Sequence, residues 1–191
     1  MVEHVERYWC PTISSMAFLG GSEFRFTEDK RPHVVFLIGE DEYKTWETLP
    51  QFAKRNLEWR GLRISIIQQD ERDKHRFPGL VEALRDADLL LVSTRRRALP
   101  QEQLDAVRAH LEAGKPLVGI RTASHAFAPR GNDADKGASW TTFDPDVLGG
   151  NYNNHHGNGP KTTIRAAPGE EANPLLAGVN LEEFFFFQNH Q

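Results

Sequence analysis

Lys115-Pro116-Leu117-Val118-Gly119-Ile120-Arg121-Thr122-Ala123-Ser124-His125-Ala126-Phe127 is the stretch that sets the fold. It opens as an apolar run, Leu117 to Ile120, with the length and β-branched content of a buried strand. It then breaks into small and polar residues. A central parallel strand ending in Arg-Thr-Ala-Ser-His delivers those side chains to the carboxyl edge of its sheet. That edge is where open α/β sheets place their ligands.

The residues on either side support a parallel sheet. Val34-Val35-Phe36-Leu37-Ile38 is apolar without alternation, as in a strand covered on both faces. Thr48 to Arg60 carries Leu49, Phe52, Ala53 and Leu57 at near-helical spacing, with Gly61 as the stop. Leu62 to Ile67 reads as a second strand, Phe77 to Asp86 as a short helix and Ala87 to Ser93 as a third strand. Pro100 opens a further helix. Its face is Leu104, Val107 and Leu111, its early charges are Glu102 and Asp105, and Gly114 follows its end. The order β-α-β-α-β-α-β with short loops predicts a doubly wound, flavodoxin-like parallel sheet in a three-layer α/β/α sandwich.

Outside this region the periodicity is lost. Residues 1–32 predict an irregular N-terminal arm, and residues 33–191 the α/β domain. Residues 128–161 are rich in Gly, Asn, Asp and His, and so long a loop inside a compact domain is usually functional. Lys161 to Ala166 alternates weakly, as a half-exposed strand would, and Asn173 to Val179 reads as a turn into a last short element. Phe184 to Phe187 is expected to be a buried edge strand or the remnant of a truncated domain.

Composition narrows the function. The 191 residues suit one α/β domain, and 39% hydrophobic with 26% charged residues reads as globular. A net charge of −4, with Arg95-Arg96-Arg97 as the one basic cluster, argues against nucleic acid as a partner. No apolar stretch approaches the ~18 residues of a membrane span, so no membrane partner is expected. A single cysteine, Cys10, excludes an intramolecular disulfide framework and a cysteine-only zinc site. Met1 to Gly21 lacks the basic and continuous apolar regions of a signal peptide, so a cytoplasmic location is expected.

Three constellations could carry chemistry. At the end of the Gly119 strand, Arg121 stands where a hydrolase or amidotransferase elbow places its nucleophile. Arginine cannot serve as one, so Arg121 reads as an anion or hydroxyl binder or as half of a structural ion pair. Thr122 and Ser124 supply hydroxyls. His125 is a possible base for Ser124, although neighbouring side chains generally point apart. In the glycine- and asparagine-rich loop, Asn151, Tyr152 and Asn154 could hold a polyhydroxylated ligand. His155 or His156, together with His125, could bind zinc or another divalent metal; a solvated loop is the alternative. After the first strand, Glu40 and Asp41 could act as a general base or as metal ligands, or could simply favour the following helix N-terminus. Ser93 to Arg97 borders the same edge, where one arginine could reach the site and the other two would be solvated.

Taken together, several motifs resemble the ThuA-like (trehalose-utilisation) family: Gly39-Glu40-Asp41-Glu42-Tyr43, Ala87 to Ser93, Gly114 to Phe127, Leu148-Gly149-Gly150-Asn151-Tyr152 with His155-His156-Gly157, and Asn173 to Val179. The resemblance implies a class I glutamine amidotransferase-like fold that lacks the amidotransferase cysteine. It also implies a link to disaccharide and oxidised-sugar metabolism, with a bound metal in some relatives. The chain ends in Glu182 to Gln191, where the family pattern runs on into further strands, so the domain is expected to be incomplete at its C-terminus. On this reading the ligand is a carbohydrate. His125 and Glu40 are the catalytic candidates, Arg121, Thr122, Asn151, Tyr152 and Asn154 bind substrate, and His125, His155 and His156 are the metal candidates. An enzyme of this kind would be a metal- or His-assisted hydrolase or lyase. The alternatives are an inert ligand-binding or assembly module and a Ser124-dependent hydrolase. An exposed Phe184–Phe187 patch would favour a homo-oligomer.

Overall fold

A computed structural model of the chain describes residues 29–154 and 165–181. The chain divides after Arg31 into two units, and all that follows concerns the second, which begins at Pro32. The expectations for most of the N-terminal arm, for His155 and His156, for the start of the weak strand at 161–166 and for Phe184–Phe187 lie outside the described residues.

Strand β1, His33–Gly39, is buried along its whole length. The reason for its unbroken apolar run is that alternate side chains enter different layers. Val34, Phe36 and Ile38 pack with Ala53, Leu49 and Leu57 on one face. Val35 and Leu37 pack on the other face with Phe77, Leu80, Leu104, Val107, Phe127 and Phe143. Strands β2 (Arg63–Gln68) and β3 (Leu89–Thr94) flank β1 in parallel, and β4 (Leu117–Gly119) pairs with β3. The order is therefore β2-β1-β3-β4, a doubly wound, flavodoxin-like arrangement with helices on both faces. Its direction of winding reverses between β1 and β3. The carboxyl ends there are Gly39 and Thr94, which are partners in register. Such a reversal opens a crevice for a ligand.

Local chemistry explains where the helices depart from expectation. Helix α1 is Thr45–Phe52 and starts earlier than the sequence predicts. Pro50 lies inside it and has no N–H to give to the Trp46 carbonyl. The Gln68 side chain donates to that carbonyl instead, at 3.3 Å. After Phe52 the chain continues as a wide turn, Ala53–Leu57, and a 3-10 turn, Glu58–Arg60, which Gly61 ends at φ 80°. Helix α2 is only Leu80–Leu84. The backbone just before it is tied down by Gln103, which accepts from the Phe77 N–H at 3.0 Å and donates to the Phe77 carbonyl at 2.8 Å. Helix α3, Gln101–Glu112, lies where the sequence predicts it, with Gly114 at φ 72° beyond its end.

Strand β4 corrects one expectation. The Leu117–Ile120 run reads as a buried central strand, but β4 lies at the edge of the described sheet and Val118 is 44% exposed. An apolar run reports a preference for extended backbone and says little about how many strands flank it. Near the end of the fold, Asn173 caps a 3-10 turn, Pro174–Leu176, by accepting from the Leu175 N–H at 2.9 Å. Among the described residues no helix is long and apolar enough to cross a membrane.

Candidate functional site at the carboxyl edge of the sheet

The chain leaves β4 through an elbow. Ile120 makes the last backbone bond to β3, its N–H donating to the Val92 carbonyl at 3.0 Å. Arg121 then adopts φ 47°, a left-handed conformation that L-residues seldom hold. The 3-10 turn Arg121–His125 follows directly. A Cβ added at Gly119 would stand 3.0 Å from the Ala123 Cβ and 2.9 Å from Leu148 Cδ2. The corner therefore demands small residues two positions before and two after Arg121. This is the geometry that hydrolases use to present a nucleophile. Here it presents a guanidinium, which lies 3.6 Å over the Tyr43 ring as a cation–π pair.

The loop after β1 that brings Tyr43 there is organised by Glu40. This carboxylate is 2% exposed. It accepts from the Glu42 and Tyr43 N–H groups, both at 2.6 Å, and from the Thr45 N–H at 2.8 Å and the Thr45 hydroxyl at 2.7 Å. Burial raises the Glu40 pKa, but the bonds from Thr45, Tyr43 and Glu42 outweigh it and hold the group below the ordinary carboxylate range. A carboxylate so fully engaged, capping the start of α1, shapes the loop. It is not placed to take a substrate proton, so the expectation of a catalytic Glu40 gives way to a positioning role. Asp41 joins a second clasp, where buried Arg97 reaches Asp41 at 2.6 Å, Gln69 at 2.8 Å and the Arg95 carbonyl at 2.7 Å. The expectation of two solvated arginines fails here. Arg97 is buried and Arg95 and Arg96 are half-buried. Arg95 Nε sits 3.3 Å from Glu42.

His125 ends the elbow turn. The tight turn does what the sequence argument discounts: Ser124 Oγ and His125 Nδ1 share a 3.0 Å hydrogen bond. The imidazole stacks on Tyr152, with centroids 4.8 Å apart and planes 28° from parallel. Burial, then the charges of Arg96, Arg95 and Arg130, push its pKa down to about 4, with Asp144 opposing. His125 is thus a neutral imidazole at pH 7. Asp144, which the sequence reading does not single out, secures Tyr152. It is 7% exposed and accepts from the Tyr152 N–H at 2.6 Å. A Cβ at Gly150 would lie 2.5 Å from Asp144 Oδ1, so only glycine lets the loop close over this carboxylate.

Of the other expected ligand-binding residues, Tyr152 is exposed at this corner, and Asn151 and Asn154, close to it in the chain, are exposed as well. Thr122 is buried and donates its hydroxyl to the Thr94 carbonyl at 3.1 Å, tying the elbow to β3 rather than facing a ligand. Among the described residues no three His, Cys, Asp or Glu side chains converge to hold a metal ion. Of the three histidines expected as metal ligands, His125 alone lies within them, and Ser124 already engages its Nδ1. No family model, curated protein or solved structure matches this chain.

Proposed function

We propose that this chain is a ThuA-like protein of carbohydrate metabolism that binds or transforms a sugar, an oxidised disaccharide being one candidate, at the carboxyl edge of its sheet. The observation that carries the reading is Arg121 in the left-handed elbow, where a donor fork replaces a nucleophile. A guanidinium held over Tyr43 can grip hydroxyl or carbonyl oxygens. The exposed Tyr152 ring beside His125 offers a sugar face an apolar surface, and Asn151 and Asn154 offer donors and acceptors. Neutral His125 can move a proton at a ligand oxygen.

The test is calorimetric binding of neutral and oxidised disaccharides, with turnover followed in wild type and in His125→Ala. Saturable binding lost in Arg121→Ala, with the fold intact, supports the reading; no binding by any sugar sinks it. Turnover that disappears in His125→Ala makes the protein an enzyme, and binding without turnover makes it a ligand-binding module. The Ser124–His125 hydrogen bond favours a second reading, a serine hydrolase. Hydrolysis that survives Ser124→Ala disposes of it.

A further inference from the structure

Arg96 stands apart from the other sheltered arginines. Among the described residues of this unit, the buried or half-buried Arg63, Arg95 and Arg97 each meet a carboxylate. Half-buried Arg108 lies 3.7 Å over the Trp140 ring. Half-buried Arg96 has neither kind of partner: its guanidinium makes one 3.4 Å bond, to the Ala128 carbonyl. Burying a charge is unfavourable unless it is paired. Its neighbours add to the imbalance, since Arg96 is destabilised by burial and then by the charges of Arg130 and Arg95. Its backbone is also strained, at φ 52°. Strain of this kind persists where the surrounding structure holds a functional group in place. Two bonds fix Arg96 against the elbow: its N–H donates to the His125 carbonyl at 3.0 Å, and the Arg97 N–H donates to the Ala126 carbonyl at 2.7 Å. The unmet positive charge thus sits beside the His125–Tyr152 stack.

We propose that the ligand carries an oxyanion, a carboxylate or a phosphate, and that Arg96 and Arg130 bind it next to His125. This rests on the carbohydrate reading and narrows it to acidic sugars. Arg96 supplies the forked, held donor set, and exposed Arg130 adds charge from the rim of the long loop.

The experiment is calorimetry on the full chain at low salt with four probes: glucose, gluconate, glucose 6-phosphate and inorganic phosphate. Arg96→Gly removes the guanidinium and suits the left-handed backbone, so the fold is retained; Arg130→Ala removes the second, exposed charge and should also weaken the acidic probe while leaving glucose unchanged. Gluconate or glucose 6-phosphate should bind at least about tenfold more tightly than glucose, and weaken with salt. Whichever of the two binds better identifies the oxyanion. Arg96→Gly should weaken the acidic probe by about tenfold or more and leave glucose unchanged. Inorganic phosphate bound as tightly as glucose 6-phosphate, with glucose unbound, keeps the anion site and overturns the carbohydrate reading. Equal affinity for glucose and the acids, or an equal loss for all probes in Arg96→Gly, overturns the oxyanion proposal and leaves the carbohydrate reading standing. No binding by any probe overturns the oxyanion proposal, and the carbohydrate reading then stands or falls on the disaccharide titrations.

Discussion

Replacing Glu40 by glutamine should destabilise the protein severely although the side chain keeps its shape. The wild-type carboxylate accepts four short bonds, two on each oxygen. In Glu40→Gln one oxygen becomes an NH2 group that faces donors, so two bonds are lost and donors confront each other. A hydrogen bond to a charged group is worth about 1.5–3 kcal/mol. Two such losses, partly offset because a buried charge has also gone, give an expected cost of about 3 kcal/mol. Urea unfolding at pH 7 measures it directly as a lower midpoint at unchanged slope. The pH dependence supplies a second reading. Because Glu40 is held below its ordinary value of 4.5, it contributes stability above that pH, lost as pH falls through the lower folded value. Glu40→Gln should therefore flatten the acid limb of the stability curve. A variant within about 1 kcal/mol of wild type, with the acid limb unchanged, would show that the Glu40 carboxylate does not hold this loop together.

Other consequences can be measured alongside. His125 should titrate near 4 by NMR, and Arg96→Gly should move that midpoint upward, since a repelling charge has been removed. The same depression means that, between the ordinary 6.5 and about 4, the unfolded chain takes up a proton that the folded chain does not. His125 therefore costs stability as pH falls across that window, and His125→Gln should reduce this acid sensitivity. Gly39→Ala drives a Cβ into the ring of Phe77, which is 0% exposed, and should cost about 1–3 kcal/mol by chemical denaturation. Arg121→Gly removes the guanidinium at a left-handed position that glycine suits, so sugar binding should disappear, as calorimetry would show, while the variant still folds.

Much of the frame was legible because it rests on strong local rules. The Val34–Ile38 run announces a strand buried on both faces, and the Leu104, Val107 and Leu111 face with Gly114 beyond it announces α3. The elbow was visible too, since Arg121 follows Gly119-Ile120 in the place of a nucleophile. What was not legible depends on three-dimensional closure. Pro50 shows that a helix can absorb a proline when a distant glutamine takes the freed carbonyl. Ser124 and His125 meet because a 3-10 turn brings together side chains that an extended strand would send to opposite faces. Arg95 to Arg97 read as a mainly solvated basic run. Yet the left-handed backbone at Arg96 lets Arg97 reach Asp41 and Gln69 from within the fold. Asp144 lies in a loop with no period, and only its burial beneath Gly150 and Tyr152 reveals its role.

The most direct measurement is an NMR titration of histidine-labelled protein with gluconate and with trehalose, His125 being assigned by its absence in His125→Gln. A saturable shift of the His125 ring with one or both sugars, lost in Arg121→Ala, is expected. Shifts confined to other histidines, or no shift with either sugar, would contradict the placement of a carbohydrate site at this elbow.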